Sequence, residues 1–345
     1  MVKIKHLLML AFLGLLVGCF QPGQTLEDID APKDLTTDTE ANDAEQTNDQ
    51  TYETVTRQLY LLDANGYVAA QTIDLPQPET QAVAEQVVNY LIKGGPVTEV
   101  LPNGFSGVLP EGTEVLGLNL QEDGTLIVDF SDAFTTYQAT DEIKILEAMT
   151  YSLTQFSNIE RIKLQVEGVD LEAMPVDGTP IAQGYSRHKG INVTEAGAID
   201  LLESDLMTMY YPSEHNQKRY YIPVTQYLEK DENIYETIVQ ALMDGPRLTN
   251  FSTLEVFDPQ TMLVSQPHLK DDVLHLEFNE YILDDVTEGI IADEVMETLV
   301  RSLTEHPNVE AVQVNVQNIE TIFNENGEVY DEPVNLTTIP AAEQT

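Results

Sequence analysis

The sequence predicts an α+β fold made of two tandem small domains, each a mixed sheet with two helices packed on one face. Three observations lead to this prediction. The chain repeats itself, each copy has strand-like and helix-like segments in the same order, and 42% of the 345 residues are hydrophobic. This length and hydrophobic content suffice for two domains of ordinary size with buried cores. The order within each copy is β-hairpin, helix, β-hairpin, helix, strand.

The repeat becomes visible when the chain is aligned with itself at a shift of 150 residues. Tyr60 then falls on Tyr210, and Gly95-Pro96 falls on Gly245-Pro246. Further matches pair Ser152-Leu153-Thr154 with Ser302-Leu303-Thr304, Asn158 with Asn308, Glu160 with Glu310 and Val166 with Val316. A period this long indicates tandem domains, because solenoid repeats are about 20–50 residues long.

The first copy contains the clearest signals for individual elements. The expected strands are 57–62, 67–74, 115–120, 125–130 and 161–166, and the expected helices are about 79–93 and 141–155. Asn65-Gly66 and Asp123-Gly124 are hairpin-turn signals between the paired strands. The first helix has apolar residues at every fourth position, at Val83, Val87 and Leu91, which predicts one buried face.

The second copy has the same order of elements. Its expected strands are 206–211, 219–224, 262–266, 273–278 and 311–316. Its helices have apolar faces formed by Ile234, Ile238 and Leu242, and then by Val295, Leu299 and Leu303. Between the copies, proline and glycine residues favour a loop, and Arg187-His188-Lys189 is the only basic spot of that segment.

The N-terminus has the features of a secretion signal. Lys3 and Lys5 precede an uninterrupted apolar run of 11 residues over 7–17. A membrane span needs about 20 apolar residues, so this run has the length of a signal-peptide core. The run ends in Leu16-Val17-Gly18-Cys19, which resembles the lipobox of bacterial lipoproteins.

The lipobox resemblance implies cleavage before Cys19 and attachment of membrane lipid to its sulfur. The protein is then expected on the extracytoplasmic face of the cell membrane. Two other readings of the same residues are a spare thiol after an ordinary signal peptide and an uncleaved anchor. Two or three acyl chains anchor a protein firmly, whereas one chain does not.

Charge and cysteine count exclude several function classes. The formal net charge is −43, from 16 basic and 59 acidic residues, so the surface repels phosphate backbones and nucleic acid is not an expected partner. The single cysteine excludes an intrachain disulfide and a cysteine-cluster metal site. Residues 21–51 contain nine acidic residues and little to bury, which predicts an extended, disordered tether. A specific acidic interaction motif is the alternative for this segment.

These observations together predict the domain organisation. It consists of a lipoprotein signal peptide (1–18), a lipidated cysteine with an acidic disordered tether (19–56), a first domain (57–168), a linker (169–205), a second domain (206–320) and a C-terminal tail (321–345).

The double copy resembles the tandem GerM domains of sporulation and germination lipoproteins. The segments that carry the resemblance are Leu59-Tyr60-Leu61, 91–96, 109–113, 128–131 and 152–168. The second copy departs from the pattern, with Glu255-Val256-Phe257-Asp258 at the turn and Asn318 in place of Gly168. The family is associated with envelope assemblies in spore formation and germination, and it resembles ring-building domains of secretion machines. The resemblance implies envelope or sporulation proteins as partners, allows higher-order assembly, and brings no catalytic residues.

Several motifs have both a structural and a functional interpretation. Gly94-Gly95-Pro96 and Gly245-Pro246 are helix stops, with a direct binding role as the alternative. The Leu109 to Thr113 segment predicts a turn, since its order and its position within the chain do not fit a sorting signal. Asp129 and Glu277 occupy matching strand positions, either on a solvated face or as carboxylates of a site.

No catalytic or metal-binding constellation is found in the sequence. Outside the signal the histidines are His188, His215, His268, His275 and His306, and none has a metal-ligand spacing. No nucleophile elbow, dinucleotide fingerprint or P-loop is present, and the Asn324 to Gly327 segment lacks the end ligands of a calcium loop. The acidic pairs Asp271-Asp272 and Asp284-Asp285 are expected to be surface residues that bind divalent ions weakly at most. We therefore predict no cofactor, no metal and no enzyme activity.

The leading functional hypothesis is a lipid-anchored, non-enzymatic envelope assembly protein that acts through protein–protein interaction. The alternative is an extracytoplasmic ligand-binding or sensing lipoprotein with a site between the two domains. An envelope hydrolase remains a third hypothesis, and it would require catalytic groups from distant segments.

Overall fold

The computed structural model describes residues 54–78, 83–194, 201–246 and 253–339. Its strands are β1 Thr54–Leu62, β2 Val68–Pro76, β3 Val115–Leu120, β4 Thr125–Phe130, β5 Arg161–Val166, β6 Val169–Asp170, β7 Ser204–His215, β8 Lys218–Glu229, β9 His268–Lys270, β10 Val273–Phe278 and β11 Ala311–Val316. Its α-helices are α1 Val83–Asn89, α2 Glu142–Leu153, α3 Ile234–Asp244 and α4 Asp293–Leu303. These elements form a first unit (54–194) and a second unit (201–339), which confirms the α+β prediction.

Each unit contains one hairpin and one mixed sheet. In the first unit, β1 pairs with β2, and a separate sheet has the order β3-β4-β5-β6, in which β4 and β5 are parallel. In the second unit, β7 pairs with β8, and the sheet has the order β11-β10-β9, with β10 and β11 parallel. In both units an α-helix connects the two parallel strands, as such a crossover requires.

The crossover helix is the centre of each core. All α2 residues over 145–153 are buried, because α2 contacts both the hairpin and the sheet. It also covers the outer edge of β1: the Tyr60 backbone N–H donates to Ser152 Oγ at 2.8 Å. The second unit repeats this contact, with the Tyr210 N–H donating to Ser302 Oγ at 2.9 Å. A covered edge cannot pair with a foreign strand.

Three predicted elements differ in the structure. No strand forms over 262–266; only Leu263 bridges to Phe278, and β9 lies further along at 268–270. Pro267 lacks an N–H and interrupts the pairing, while Asp271 and Asp272, at φ 51° and 62°, form the tight turn that sets the register of β9 against β10.

The first helix and the first hairpin also differ in extent. The start of the predicted helix, 79–82, lies outside the described residues, and α1 ends at Asn89. After α1 the chain turns to pair with the segment at Leu109, to which the Lys93 N–H donates at 3.0 Å. The loop between β1 and β2 spans 63–67, one residue longer than predicted, because the Asp63 carboxylate accepts hydrogen bonds from the backbone of Asn65 and Tyr67. Residues 54–56, predicted in the tether, belong to β1.

The segments predicted as linker and tail pack against the units. Ile162 pairs with Tyr185, and Val312 pairs with Val334 in the same way. The buried anchors of these extensions are Met174, Ile181, Tyr185 and Ile191 in the first unit, and Ile322, Val334 and Ile339 in the second. Irregular spacing explains why neither a helical nor a strand period revealed them. Among the residues that the structure describes, no helix combines the length and apolar character that a bilayer-spanning segment requires.

Candidate functional site

The predicted lipobox residues Leu16, Val17, Gly18 and Cys19 lie outside the described residues. The acidic tether over 21–51 lies outside them as well. Their roles therefore remain predictions.

The carboxylates and loops considered as site candidates have structural partners. Asp129 Oδ1 accepts from the Gly168 N–H at 2.9 Å, which fixes the turn after β5. Asn324 Oδ1 accepts from the backbone of Asn326 at 3.0 Å and of Glu328 at 2.8 Å, as in an Asx turn. Within the described ranges, no group of three or more His, Cys, Asp or Glu side chains is close enough to hold a metal ion.

The histidines are distributed over separate places. His268 and His275 stack across β9 and β10, with ring centroids 4.9 Å apart, and burial together with His268 lowers the pKa of His275. His306 contacts the ring of Tyr235 edge to face at 5.1 Å. His215 lies against Gly104 of the first unit, where a Cβ would come within 2.3 Å of the imidazole. These three places lie in different parts of the described chain.

Two of the segments that carry the family resemblance, 91–96 and 109–113, meet in one surface groove of about 710 Å³. Gly94, at φ +71°, ends the turn after α1, and Glu111 lies against it, 3.2 Å from the position of a Cβ. Tyr90 and Thr113 also line the groove. The Thr113 hydroxyl is buried without a hydrogen-bond partner, and so is Oε1 of Gln86 on the same groove. Among the described residues of the lining, two carboxylates, Glu85 and Glu111, stand beside one lysine, Lys93, which suits a basic group.

A second candidate region is the junction between the units. Tyr220 of the second unit contacts the first unit in two ways. Its hydroxyl donates to Asp63 Oδ2 at 2.8 Å, and its ring packs against Phe105 with the ring centroids 4.9 Å apart. Burial and the Asp63 carboxylate raise the pKa of Tyr220 to about 12. Ala69 of the first unit is completely buried in the core of the second unit. The junction therefore combines apolar packing with buried hydrogen bonds.

Residues 187–194, here called the strap, bind both units. The Asn192 side chain donates to the carbonyls of Val68 and Pro223, each at 2.7 Å, and accepts from the Val68 N–H at 3.0 Å. Thr225 on β8 exchanges backbone hydrogen bonds with Ile191 and Thr194 at 2.9 and 3.0 Å. Polar contacts to β2 of the first unit and β8 of the second fix the strap across the junction.

Equivalent tyrosines of the two units meet beneath the strap. Tyr60 and Tyr210 are both buried, and the Tyr60 hydroxyl lies within hydrogen-bonding reach of Tyr210 and Arg187. The Tyr210 hydroxyl donates to Glu305 Oε1 at 2.6 Å. Arg187 donates to Thr154 Oγ1 at 2.7 Å and to the Tyr151 carbonyl at 3.2 Å. Its guanidinium also lies 4.5 Å from the centroid of the Tyr151 ring.

A buried glutamate occupies the same helical position in both crossover helices. Glu147 on α2 and Glu297 on α4 are each 2% exposed. Burial raises the pKa of Glu147 to about 8, opposed by the Asn192 backbone N–H and Lys144. Burial also raises the pKa of Glu297, although Arg301 lies 3.4 Å from its carboxylate.

Sequence reasoning missed most of the junction. The shift of 150 had already aligned Tyr60 with Tyr210, and the same shift aligns Glu147 with Glu297. The presence of a glutamate at matching positions of the two helices was the available signal. Arg187 was noticed only as part of a basic spot, because no local pattern indicates that it contacts two tyrosines far along the chain.

The chain matches a known protein family, a single known protein and a solved structure. A family model described as "Germane: Sporulation and spore germination" matches residues 58–172 and 208–321. The spore germination protein GerM of Bacillus subtilis (strain 168) is 41% identical over 342 residues, which cover 93% of this chain and 92% of that protein. The structure of the tandem GerMN domains of the sporulation protein GerM from Bacillus subtilis has a TM-score of 0.75 at 41% identity, and covers 84% of this chain and all of that one.

These matches confirm the family resemblance and the tandem repeat. The two matched ranges follow the two units of the structure, one range to each. The chain belongs to the Germane family of sporulation and spore germination proteins.

Proposed function

We propose that this protein is a lipid-anchored, non-enzymatic assembly protein of the cell envelope that acts in spore formation or germination through contacts with other proteins. The observation that carries the proposal is the similarity to GerM, which extends over 93% of the chain and includes both units. GerM is named a spore germination protein and a sporulation protein.

The N-terminal sequence supplies the anchor in this proposal. Acyl chains on Cys19 would hold the protein at the membrane, and the acidic segment 21–51 would act as an extended spacer. Like charges along the spacer repel one another and the anionic membrane surface, so they favour an extended chain.

The groove beside Gly94 is the proposed contact surface. It brings together the segments 91–96 and 109–113, which carry part of the family resemblance, and Glu85 and Glu111 line it. The one cation of its lining, Lys93, has an acidic partner, Asp141, at 3.7 Å. A protein segment that presents a basic side chain would complement these carboxylates. The strongly negative whole chain would attract such a partner over a distance as well.

A small-ligand site between the units is the less favoured function. The strap side chain Asn192 and the pair Tyr60 and Tyr210 occupy the region in which that ligand would sit. The polar groups of these side chains already form hydrogen bonds within the protein, and a ligand would have to break those bonds.

Photo-crosslinking in sporulating cells tests the proposal. A benzoylphenylalanine at Tyr90 is expected to trap an envelope protein, while the same group at Val169, which is 65% exposed and outside the groove, is the matched control. Cys19→Ser is expected to release the protein from the membrane fraction and to abolish the crosslink. Normal sporulation and germination of a deletion strain, with no adduct at Tyr90, would refute the proposed role.

A further inference from the structure

Glu147 is a buried acid at the point where the strap meets the first unit. It lies on α2, in the middle of the fully buried stretch 145–153, and only 2% of its surface is exposed. The Asn192 backbone N–H faces its carboxyl group, and the Asn192 side chain clamps Val68 of one unit to Pro223 of the other. A change in the charge of Glu147 would thus occur next to Asn192, the residue that joins the units.

The second unit provides an internal comparison for this position. Glu297 has a cation one helical turn later, since Arg301 Nη2 lies 3.4 Å from its Oε2. The residue that corresponds to Arg301 in the first unit is Tyr151. Glu147 therefore lacks, among the described residues, the close ion pair that its counterpart has.

The charged and titratable groups that act on Glu147 come from two elements. Lys144 lies one turn earlier on the same helix, and its Nζ reaches the hairpin loop, 3.3 Å from where a Cβ at Gly66 would be. Tyr185 comes from the extension after β5, and the Glu147 charge raises its pKa further than burial alone. An ammonium that forms no close ion pair with Glu147 and a neutral phenol compensate a buried carboxylate poorly.

We propose that Glu147 is a pH-sensitive latch of the junction, which holds the strap closed while it is protonated and loosens the strap when it ionises. A carboxylate enclosed without a nearby cation is unfavourable, and opening of the strap would expose it to water. This inference concerns the junction and does not depend on the proposed partner or on the membrane anchor.

The sign and the size of the effect follow from proton linkage. The closed state holds the proton up to about pH 8, whereas an open, hydrated carboxyl would lose it near its ordinary value of about 4.3. Between these values the closed state binds one more proton than the open state. The equilibrium constant for opening therefore rises about tenfold per pH unit, and it becomes constant above about pH 8.

Hydrogen exchange of the full chain tests the latch. We expect protection of the strap backbone, corrected for intrinsic exchange, to fall by about 50-fold between pH 6 and pH 8 and then to level off. Glu147→Gln should make this protection independent of pH, because the amide stays neutral. Glu297→Gln is the matched control, and it should leave the pH dependence of the strap unchanged.

Two results would overturn the latch. One is constant strap protection from pH 6 to pH 9 in the unmodified chain, and the other is an undiminished fall in Glu147→Gln. Carboxyl ¹³C NMR of the unmodified chain gives a second measurement that requires no variant. A Glu147 midpoint near 8 supports the latch, and a midpoint near 4 contradicts it.

Discussion

Arg187→Met changes a residue of the first unit whose guanidinium also faces Tyr210 and Glu305 of the second unit. Arg187 donates hydrogen bonds to Thr154 Oγ1 at 2.7 Å and to the Tyr151 carbonyl at 3.2 Å, and its guanidinium stacks 4.5 Å from the Tyr151 ring centroid. Methionine keeps the apolar stem but removes all three interactions. The variant thus separates the contribution of the charged group from that of packing.

The expected cost follows from those contacts. Hydrogen bonds to charged groups contribute about 1.5–3 kcal/mol each, and a cation–π contact about 0.5–2 kcal/mol. Arg187 is partly exposed, so water replaces some of what is lost, and we expect a net loss of about 2–4 kcal/mol. Because the guanidinium also faces Tyr60 and Tyr210, the two units should unfold less cooperatively.

Urea unfolding followed by far-ultraviolet circular dichroism measures this loss. Arg161→Met is the matched control, because its ion pair with Glu160 spans 3.5 Å between side chains that are 39% and 67% exposed. We expect the control to cost less than about 1 kcal/mol. An Arg187→Met cost no larger than the control, with an unchanged single transition, would refute the reasoning about the junction.

Four further variants test other contacts. Gly107→Ala would place a Cβ 2.7 Å from a backbone carbonyl and should cost about 1–3 kcal/mol by thermal unfolding; an unchanged midpoint would contradict the packing. Ser152→Ala and Ser302→Ala remove equivalent hydrogen bonds of 2.8 and 2.9 Å, so each should cost about 1 kcal/mol in urea, and a large difference would argue against equivalence. Tyr220→Phe leaves Asp63 with one acceptor unpaired and should lower the free energy of unfolding by about 1.5–3 kcal/mol. An unchanged stability would show that this hydrogen bond does not stabilise the junction.

The mixed sheets could be predicted closely from the sequence. The predicted strands 115–120, 125–130, 161–166, 273–278 and 311–316 agree with the observed bounds of β3, β4, β5, β10 and β11. Alternation of apolar and polar residues is a local signal, and Gly124, at φ +76°, occupies the turn where the sequence placed it. The alternation of apolar and polar residues and the turn residues were together sufficient to predict these strands, because both signals depend on only a few neighbouring residues.

Buried acids were beyond the reach of the same reasoning. The acidic residues suggest a solvated surface, yet Glu142 is completely buried, where its carboxylate accepts from the backbone of Asp177 at 2.7 Å and Thr179 at 2.8 Å. Composition cannot distinguish such a residue from a surface glutamate. The distinction depends on a loop more than thirty residues away, which only the folded chain brings near.

The junction was unpredictable for a related reason. Asp63 and Tyr220 are 157 positions apart, and each belongs to a local pattern that is complete without the other. The groove was easier to predict, since its two segments, 91–96 and 109–113, had both been identified from the sequence. Only their proximity required the structure. Contacts between units thus carry information that no single window of sequence contains.

The meeting of Tyr60 with Tyr210 also limits how the protein can grow into larger assemblies. Contact between equivalent residues is isologous: each unit offers the same patch, and the pair satisfies itself. Such a contact ends with two members and cannot propagate into a ring or filament. Any multimer of this chain must therefore use surfaces other than this one, and the tandem pair is its smallest repeating piece.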